Sequence, residues 1–328
     1  MSRTLTSFLS SAFLLFPSWF SRYVLSAIGV IICIANSHNA IAAQQTDASP
    51  FNIPRTQTIQ LDDADRAYDL FIKLPKGYNS DANQHSHYPV IYITDAMYAF
   101  QIISGATRYP MNSNAMQQAI LVGVSWQKGL RGDKSRVRNY TPSVDKSWKK
   151  QTGGADRYVA FLQQKVLPYI QQHFRTEPSQ RTYVGNSLGG LLGAYILLEQ
   201  PEMFSNYVLG SPSFWWHKQM IFKLTQQRQE ALSKIKANVF IGIGELEHNG
   251  NGGFSNFDMV GDAQQFKALL DRTNSLISVN RSSNKVPNKT ITSKLLIIND
   301  ASHETAFPTS AIQGIYWLFN LKNGVSSK

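Results

Sequence analysis

The sequence predicts an α/β fold: a single doubly wound, mostly parallel sheet entered through an N-terminal antiparallel hairpin. Three observations carry this. Residues 88–94 and 119–124 are uninterrupted apolar runs, as strands covered on both faces should be. From about residue 154 onward, helical and strand-like stretches alternate to the end of the chain. Ahead of them, residues 56–61 and 66–74 alternate apolar and polar side chains around Asp62 and Asp63, the pattern of two half-buried strands joined by a turn.

The elements follow in order. After the hairpin and the two buried strands comes a helix near 154–173, then a strand at 181–184 rich in β-branched and aromatic residues. A long apolar helix over 188–199 is closed by Pro201 and followed by a strand at 205–210. A helix near 218–235, a strand at 237–243, a helix near 261–273, a strand at 292–298 and a helix near 308–320 complete the pattern. No internal repeat, heptad or low-complexity tract divides residues 56–328, which read as one domain. Two stretches read as surface loops with functional potential, the basic segment 129–136 and the glycine-rich segment 249–256.

A chain of 328 residues with 43% hydrophobic and 12% aromatic content can bury a large core. The first 42 residues differ from the rest. They hold no acidic residue, two arginines (Arg3 and Arg22), and apolar runs at 8–20 and 23–35, followed by the small residues Ala40 and Ala42. This is the composition of a signal peptide over 1–42, with 43–55, containing Pro50 and Pro54, as a linker. Export to the periplasm or the medium follows, and an uncleaved membrane anchor is the alternative, the one route by which the chain would meet a membrane. The single cysteine, Cys33, lies inside this segment, so the exported chain would lack thiolate and disulfide chemistry.

The 32 basic residues against 21 acidic ones give a net charge of +11, still clearly positive once Arg3 and Arg22 are removed. Such a surplus favours an acidic small molecule. The basic residues are scattered, with small groups at Lys146, Lys149 and Lys150 and at Arg281, Lys285 and Lys289, and no aromatic-interleaved nucleic-acid motif accompanies them. No nucleic-acid partner is expected.

The segment Gly185-Asn186-Ser187-Leu188-Gly189 places a serine between two glycines at a strand-to-helix junction. In such an elbow the serine sits on a sharp turn, and the residues two before and two after must lack bulk so that strand and helix can approach. Ser187 is thereby the candidate nucleophile. A serine hydroxyl needs a base and a group to orient that base. Of seven histidines, His303 follows the apolar strand 292–298 in a short loop before the last helix, at the strand end where functional loops lie. The acid should come from the preceding strand end, where Glu245 and Glu247 both stand; Glu247, further past the strand, is preferred, and Asp258 and Asp262 are weaker candidates. The Leu188 amide and an amide from the loop after strand 88–94, at Ala96 or Met97, would receive a developing oxyanion. Asp95 would fix that loop. Trp215 and Trp216, beside Phe214, are either core or the wall of an acyl or aryl pocket. No metal-ligand spacing, Walker loop or dinucleotide fingerprint is present, so neither a metal nor a cofactor is expected.

Taken together, residues 88–95, 138–142, 153–168, 185–190, 210–216, 244–247 and 302–303 resemble the esterase family of α/β-hydrolases that includes esterase D and the siderophore esterases, notably the trilactone hydrolases. The resemblance spans the whole domain. It implies an α/β-hydrolase fold and a serine hydrolase that cleaves carboxylic esters through an acyl-enzyme, with a siderophore or another small anionic or aromatic ester as substrate. It assigns Ser187 as nucleophile, His303 as base and Glu247 to the acid position, although some siderophore esterases use a serine–histidine pair without a normal acid. Arg138, in the Arg138-Asn-Tyr-Thr-Pro142 element, is placed with Trp215 and Trp216 among substrate-binding residues. Asn186, Ala96 and Asn139 replace the histidine, glycine and aspartate usual at those positions. An acyltransferase and a non-catalytic binding protein on the same fold are the alternatives.

Overall fold

The computed structural model describes residues 50–249, 256–279 and 291–321. The expected signal peptide and Cys33, residues 43–49 of the linker, most of the glycine-rich 249–256 stretch, and Arg281, Lys285 and Lys289 lie outside the described residues. The chain divides into two units, Met1–Asn52 and Ile53–Lys328, and the second carries the fold.

Eight strands form one sheet in the order β1-β2-β4-β3-β5-β6-β7-β8. β1 (Thr56–Asp63) and β2 (Arg66–Lys73) make the expected hairpin, and β2 pairs antiparallel with β4 (Ile120–Gln127). All remaining pairings are parallel, through β3 (Tyr88–Ile93), β5 (Thr176–Asn186), β6 (Asn206–Gly210), β7 (Ala237–Gly244) and β8 (Ile291–Ile298). β3 is buried at all six positions, which is why it reads as a continuous apolar run.

Helices cover both faces. α1 (Ala96–Ala106), the short α2 (Arg108–Asn112) and the C-terminal helix lie on one side, where Phe100, Ile103, Phe307 and Ile315 pack against Ile91, Val208 and Phe240. On the other side α3 (Gly132–Tyr140), α4 (Ala155–Phe161), α5 (Leu167–His173), α6 (Leu188–Glu199), α7 (Trp216–Gln227), α8 (Gln229–Leu232) and α9 (Met259–Val279) enclose the larger core around Tyr183, Leu209 and Ile241. α10 (Ala306–Phe319) closes the fold.

The structure departs from the sequence pattern in three places. The helix expected over 154–173 contains a π turn, Leu162–Val166, between α4 and α5. Pro168 has no N–H to give the Gln164 carbonyl and its ring would collide with it, and the wider turn accommodates both. The helix expected near 218–235 begins at Trp216 and ends at Gln227, and His217, Lys218 and Gln219 have φ of 44, 56 and 58°, three left-handed residues in a row. The segment 129–136, read as a loop, enters α3 at Gly132. Much of its buried face consists of Ser135, Arg138, Asn139 and Tyr140, held by hydrogen bonds, so no apolar period announces the helix.

Candidate active site

The elbow forms as the glycine spacing requires. β5 ends at Asn186, α6 begins at Leu188, and Ser187 between them has φ 58° and ψ −118°, a conformation that costs energy for any residue with a side chain. A β-carbon on Gly185 would lie 2.4 Å from the Gly189 carbonyl oxygen, so only glycine lets strand and helix turn this tightly.

Ser187, Glu247 and His303 follow β5, β7 and β8, at the carboxyl ends of parallel strands, and their side chains meet. His303 Nε2 is 3.1 Å from Ser187 Oγ, and His303 Nδ1 is 2.6 Å from Glu247 Oε2. Glu247 is buried, and its other oxygen, Oε1, accepts from the Gly244 amide at 2.8 Å and from Ser211 Oγ at 2.6 Å. A carboxylate only accepts, so Nδ1 carries a proton toward Glu247, leaving Nε2 to accept the Ser187 hydroxyl. The main chain fixes the acid as well, since the Met259 and Val260 amides donate to the Glu247 carbonyl.

Glu245 has a different job. Its Oε2 accepts from the Asp300 amide at 3.0 Å, bracing the loop that presents His303. Asp258 holds the Gly261 amide and Asp262 accepts from Gln219, so neither touches the histidine. Of these four carboxylates, Glu247 is the one that meets the histidine.

Ala96 and Met97, expected in a loop, are the first residues of α1, as Leu188 is the first of α6. First-turn amides have no carbonyl partner within their own helix and point positive charge outward. The two helix starts are neighbours: a β-carbon on Gly189 would stand 2.8 Å from Thr94 Oγ1, so the end of β3 packs directly on the start of α6. Asp95, at φ 53°, locks this junction. Its buried carboxylate accepts two bonds from Arg136, at 3.0 and 3.1 Å, and one from the Trp126 indole at 2.6 Å, while Arg136 also reaches the Asn186 carbonyl at 3.3 Å.

Arg138, expected among the substrate-binding residues, is held by its own neighbours in the structure. Its guanidinium donates to Asn139 Oδ1 and, at 2.6 Å, to Gln127 Oε1 at the end of β4. Residues two apart on a helix are turned by about 200°, so Arg136 and Arg138 face opposite ways, and Arg136 is the arginine that reaches the elbow. The tryptophans separate too. Trp216 is buried core, its indole N–H donating to Ser143 Oγ at 3.1 Å. Trp215 is half-buried and stacks on Phe257 (centroids 4.5 Å apart, planes 14° apart) and on Trp148 (6.3 Å, 13°). Trp148 and Phe257 are isolated aromatics in polar segments and carry no sequence signal. Ser211 and Ser213 sit in the same 210–216 segment as the tryptophans, without a sequence signal of their own; Ser213 Oγ is 3.2 Å from Ser187 Oγ.

A largely parallel sheet with antiparallel first strands, a serine elbow after β5, and an acid and a histidine after the last two strands is the α/β-hydrolase fold. Within it, the chain belongs to the family described as Putative esterase, whose model matches residues 63–274, and it is a carboxylic ester hydrolase. His303 lies beyond the matched stretch and is brought in by β8. The chain is 28% identical over 219 residues to the ferri-bacillibactin esterase BesA of Bacillus subtilis, covering 62% of this chain and 74% of that one. It is 27% identical over 174 residues to the siderophore triacetylfusarinine C esterase of Aspergillus fumigatus, covering 52% and 59%. The crystal structure of the BES protein from Bacillus cereus superposes with a TM-score of 0.69 at 25% identity, covering 84% of this chain and 99% of that one.

Proposed function

We propose that the chain is a serine esterase that works through an acyl-enzyme on Ser187 and that its substrate is a siderophore-type ester, small, anionic and aromatic. The observation that carries the mechanism is the unbroken relay from Ser187 Oγ through His303 to Glu247, at 3.1 and 2.6 Å. His303 Nε2 takes the hydroxyl proton as Oγ attacks the ester carbonyl, and the amides of Leu188 and of Ala96 or Met97 receive the oxyanion. The imidazolium then protonates the leaving alcohol. Water, deprotonated by the same nitrogen, releases the acid. Glu247 holds the ring in the required tautomer and balances its charge throughout.

Three features support the substrate class: the relatives named as esterases of ferri-bacillibactin and of triacetylfusarinine C, the stacked face of Trp148, Trp215 and Phe257, and the basic surplus of the chain. A periplasmic or secreted site of action belongs to the same proposal, on the leader-like composition of residues 1–42.

The test is Ser187→Ala assayed with short p-nitrophenyl esters and with ferric catecholate siderophores. Turnover should vanish while the melting temperature holds, and a fluorophosphonate should label the wild-type serine alone. Activity that survives the substitution would refute the mechanism, and an enzyme that cleaves simple esters but no siderophore would refute the substrate class.

A further inference from the structure

We propose that Ser213 is a further catalytic residue of this site, a hydroxyl that donates to the nucleophile's own oxygen; this rests on the acyl-enzyme reading of Ser187. The turn after β6, Ser211-Pro212-Ser213, reaches both ends of the relay. Ser211 Oγ donates to Glu247 Oε1 at 2.6 Å, and two residues on, Ser213 Oγ lies 3.2 Å from Ser187 Oγ. The backbone registers the turn against the elbow: the Ser187 amide donates to the Gly210 carbonyl at 2.8 Å, the Ser213 amide to the Ser187 carbonyl at 3.1 Å, and the Ser211 amide to the Gly242 carbonyl at 2.7 Å. Ser213 is fully buried, so its hydroxyl cannot turn to water.

Counting protons fixes the direction of the Ser187–Ser213 bond. His303 Nδ1–H is committed to Glu247, so Nε2 has no proton and accepts. Ser187 gives it the only proton it has. The 3.2 Å contact between the two serines can then be a hydrogen bond only if Ser213 is the donor and Ser187 Oγ the acceptor.

A donor in that position acts where charge develops. As the Ser187 proton passes to Nε2, Oγ gains negative charge and forms its bond to the ester carbon, the carbonyl electron pair moving onto the carbonyl oxygen. Ser213 keeps its proton, and its bond to Oγ strengthens while Oγ is anionic. In deacylation the tetrahedral adduct collapses and Oγ leaves with the bonding pair, recovering its proton from His303. Ser213 faces the same charged oxygen again, so both half-reactions gain.

The test compares Ser213→Ala and Ser213→Cys with the wild type, following the rate of fluorophosphonate labelling, mapped to Ser187 by mass spectrometry, together with kcat and KM for a short p-nitrophenyl ester. A thiol fills the space that alanine leaves but is a weak donor. Both variants should label about tenfold more slowly and lose about tenfold in kcat, with KM and melting temperature near wild type. Wild-type labelling by Ser213→Ala, or full recovery by Ser213→Cys where alanine fails, would overturn the role, the second result marking Ser213 as packing. A wild-type protein that does not label at all would instead sink the acyl-enzyme reading, and Ser213's role with it.

Discussion

His303 Nδ1 and Glu247 Oε2 stand 2.6 Å apart, and both partners are largely withdrawn from solvent, with side chains 14% and 1% exposed. Because Glu247 Oε1 is already filled by two donors, the Gly244 amide and the Ser211 hydroxyl, no orientation of a glutamine can replace it. One orientation sets an NH2 against those donors. The other sets it against Nδ1 and forces the ring proton onto Nε2, the wrong tautomer for a base. Glu247→Gln should therefore lower kcat about 1,000-fold with KM nearly unchanged, whereas Glu245→Gln, which loses only a brace on the histidine loop, should stay within about threefold. Steady-state kinetics on a p-nitrophenyl ester decide it; equal losses in the two variants would remove Glu247 from the relay.

The Asp95–Arg136 pair should prove the costliest ion pair to break. Asp95 is 1% exposed and bonded on both oxygens, so Arg136→Met leaves a buried carboxylate without its counter-charge. The expected loss is about 3 kcal/mol, or roughly 5 °C in melting temperature for a domain of this size. Activity should fall as well, since Asp95 sets the start of α1 beside the elbow. Lys128→Met, which breaks a surface pair with Asp69, should cost less than about 1 kcal/mol. Calorimetry of the two variants side by side checks the contrast.

What the sequence could disclose follows from which forces leave a local mark. The elbow was legible because a tight strand-to-helix turn excludes side-chain bulk at fixed offsets, and Gly185 and Gly189 record that exclusion. The parallel strands were legible because burial on both faces leaves an apolar run. Glu247 was separable from Glu245 only by a weak rule, because the choice between them depends on whether Gly244 and Ser211 turn toward one carboxylate, a tertiary fact. Arg136 leaves no local mark, because α3 buries hydrogen-bonding side chains on much of its inner face and shows no hydrophobic period. Ser213 and the stack of Trp148, Trp215 and Phe257 bring together residues from separate loops, and nothing near any one of them announces its partners.

The stacked wall should govern preference for aromatic acyl or alcohol groups. Trp215 lies two residues from Ser213 and its stacking partner Phe257 two residues from Met259, whose amide holds Glu247, so the chain ties the wall to both ends of the relay. Trp215→Ala removes the middle ring of three. We expect kcat/KM for an aryl ester such as a benzoate to fall about tenfold, the scale of one aromatic contact, while an acetate ester changes less than about twofold. Equal losses for both esters would show that Trp215 serves the fold rather than the pocket.

Asp262 should make stability depend on pH in a direction opposite to that of an ion-paired carboxylate. The residue is 5% exposed, its Oδ1 accepts from Gln219 Nε2 at 2.7 Å, and its Oδ2 has no hydrogen-bond partner among the described residues. Burial pushes its carboxyl up to about 6, Asp258 nearby adds to the rise, and the Gln219 bond works against it. In the unfolded chain the same group titrates near 3.9. Between those values the folded state binds more protons than the unfolded one, so stability falls as pH rises from about 4 to about 6 and is flat above, as far as this group is concerned. Asp262→Asn abolishes the ionisation while keeping an acceptor for Gln219. Its new amide protons take the unpartnered place of Oδ2, which trims the gain, so the variant should exceed wild type by about 1 kcal/mol at pH 7 to 8 and lose that advantage near pH 4. Urea unfolding at unit steps from pH 4 to 8 measures the difference directly. Parallel curves for the two proteins across pH 4 to 6 would mean that Asp262 ionises in the folded state as easily as in water.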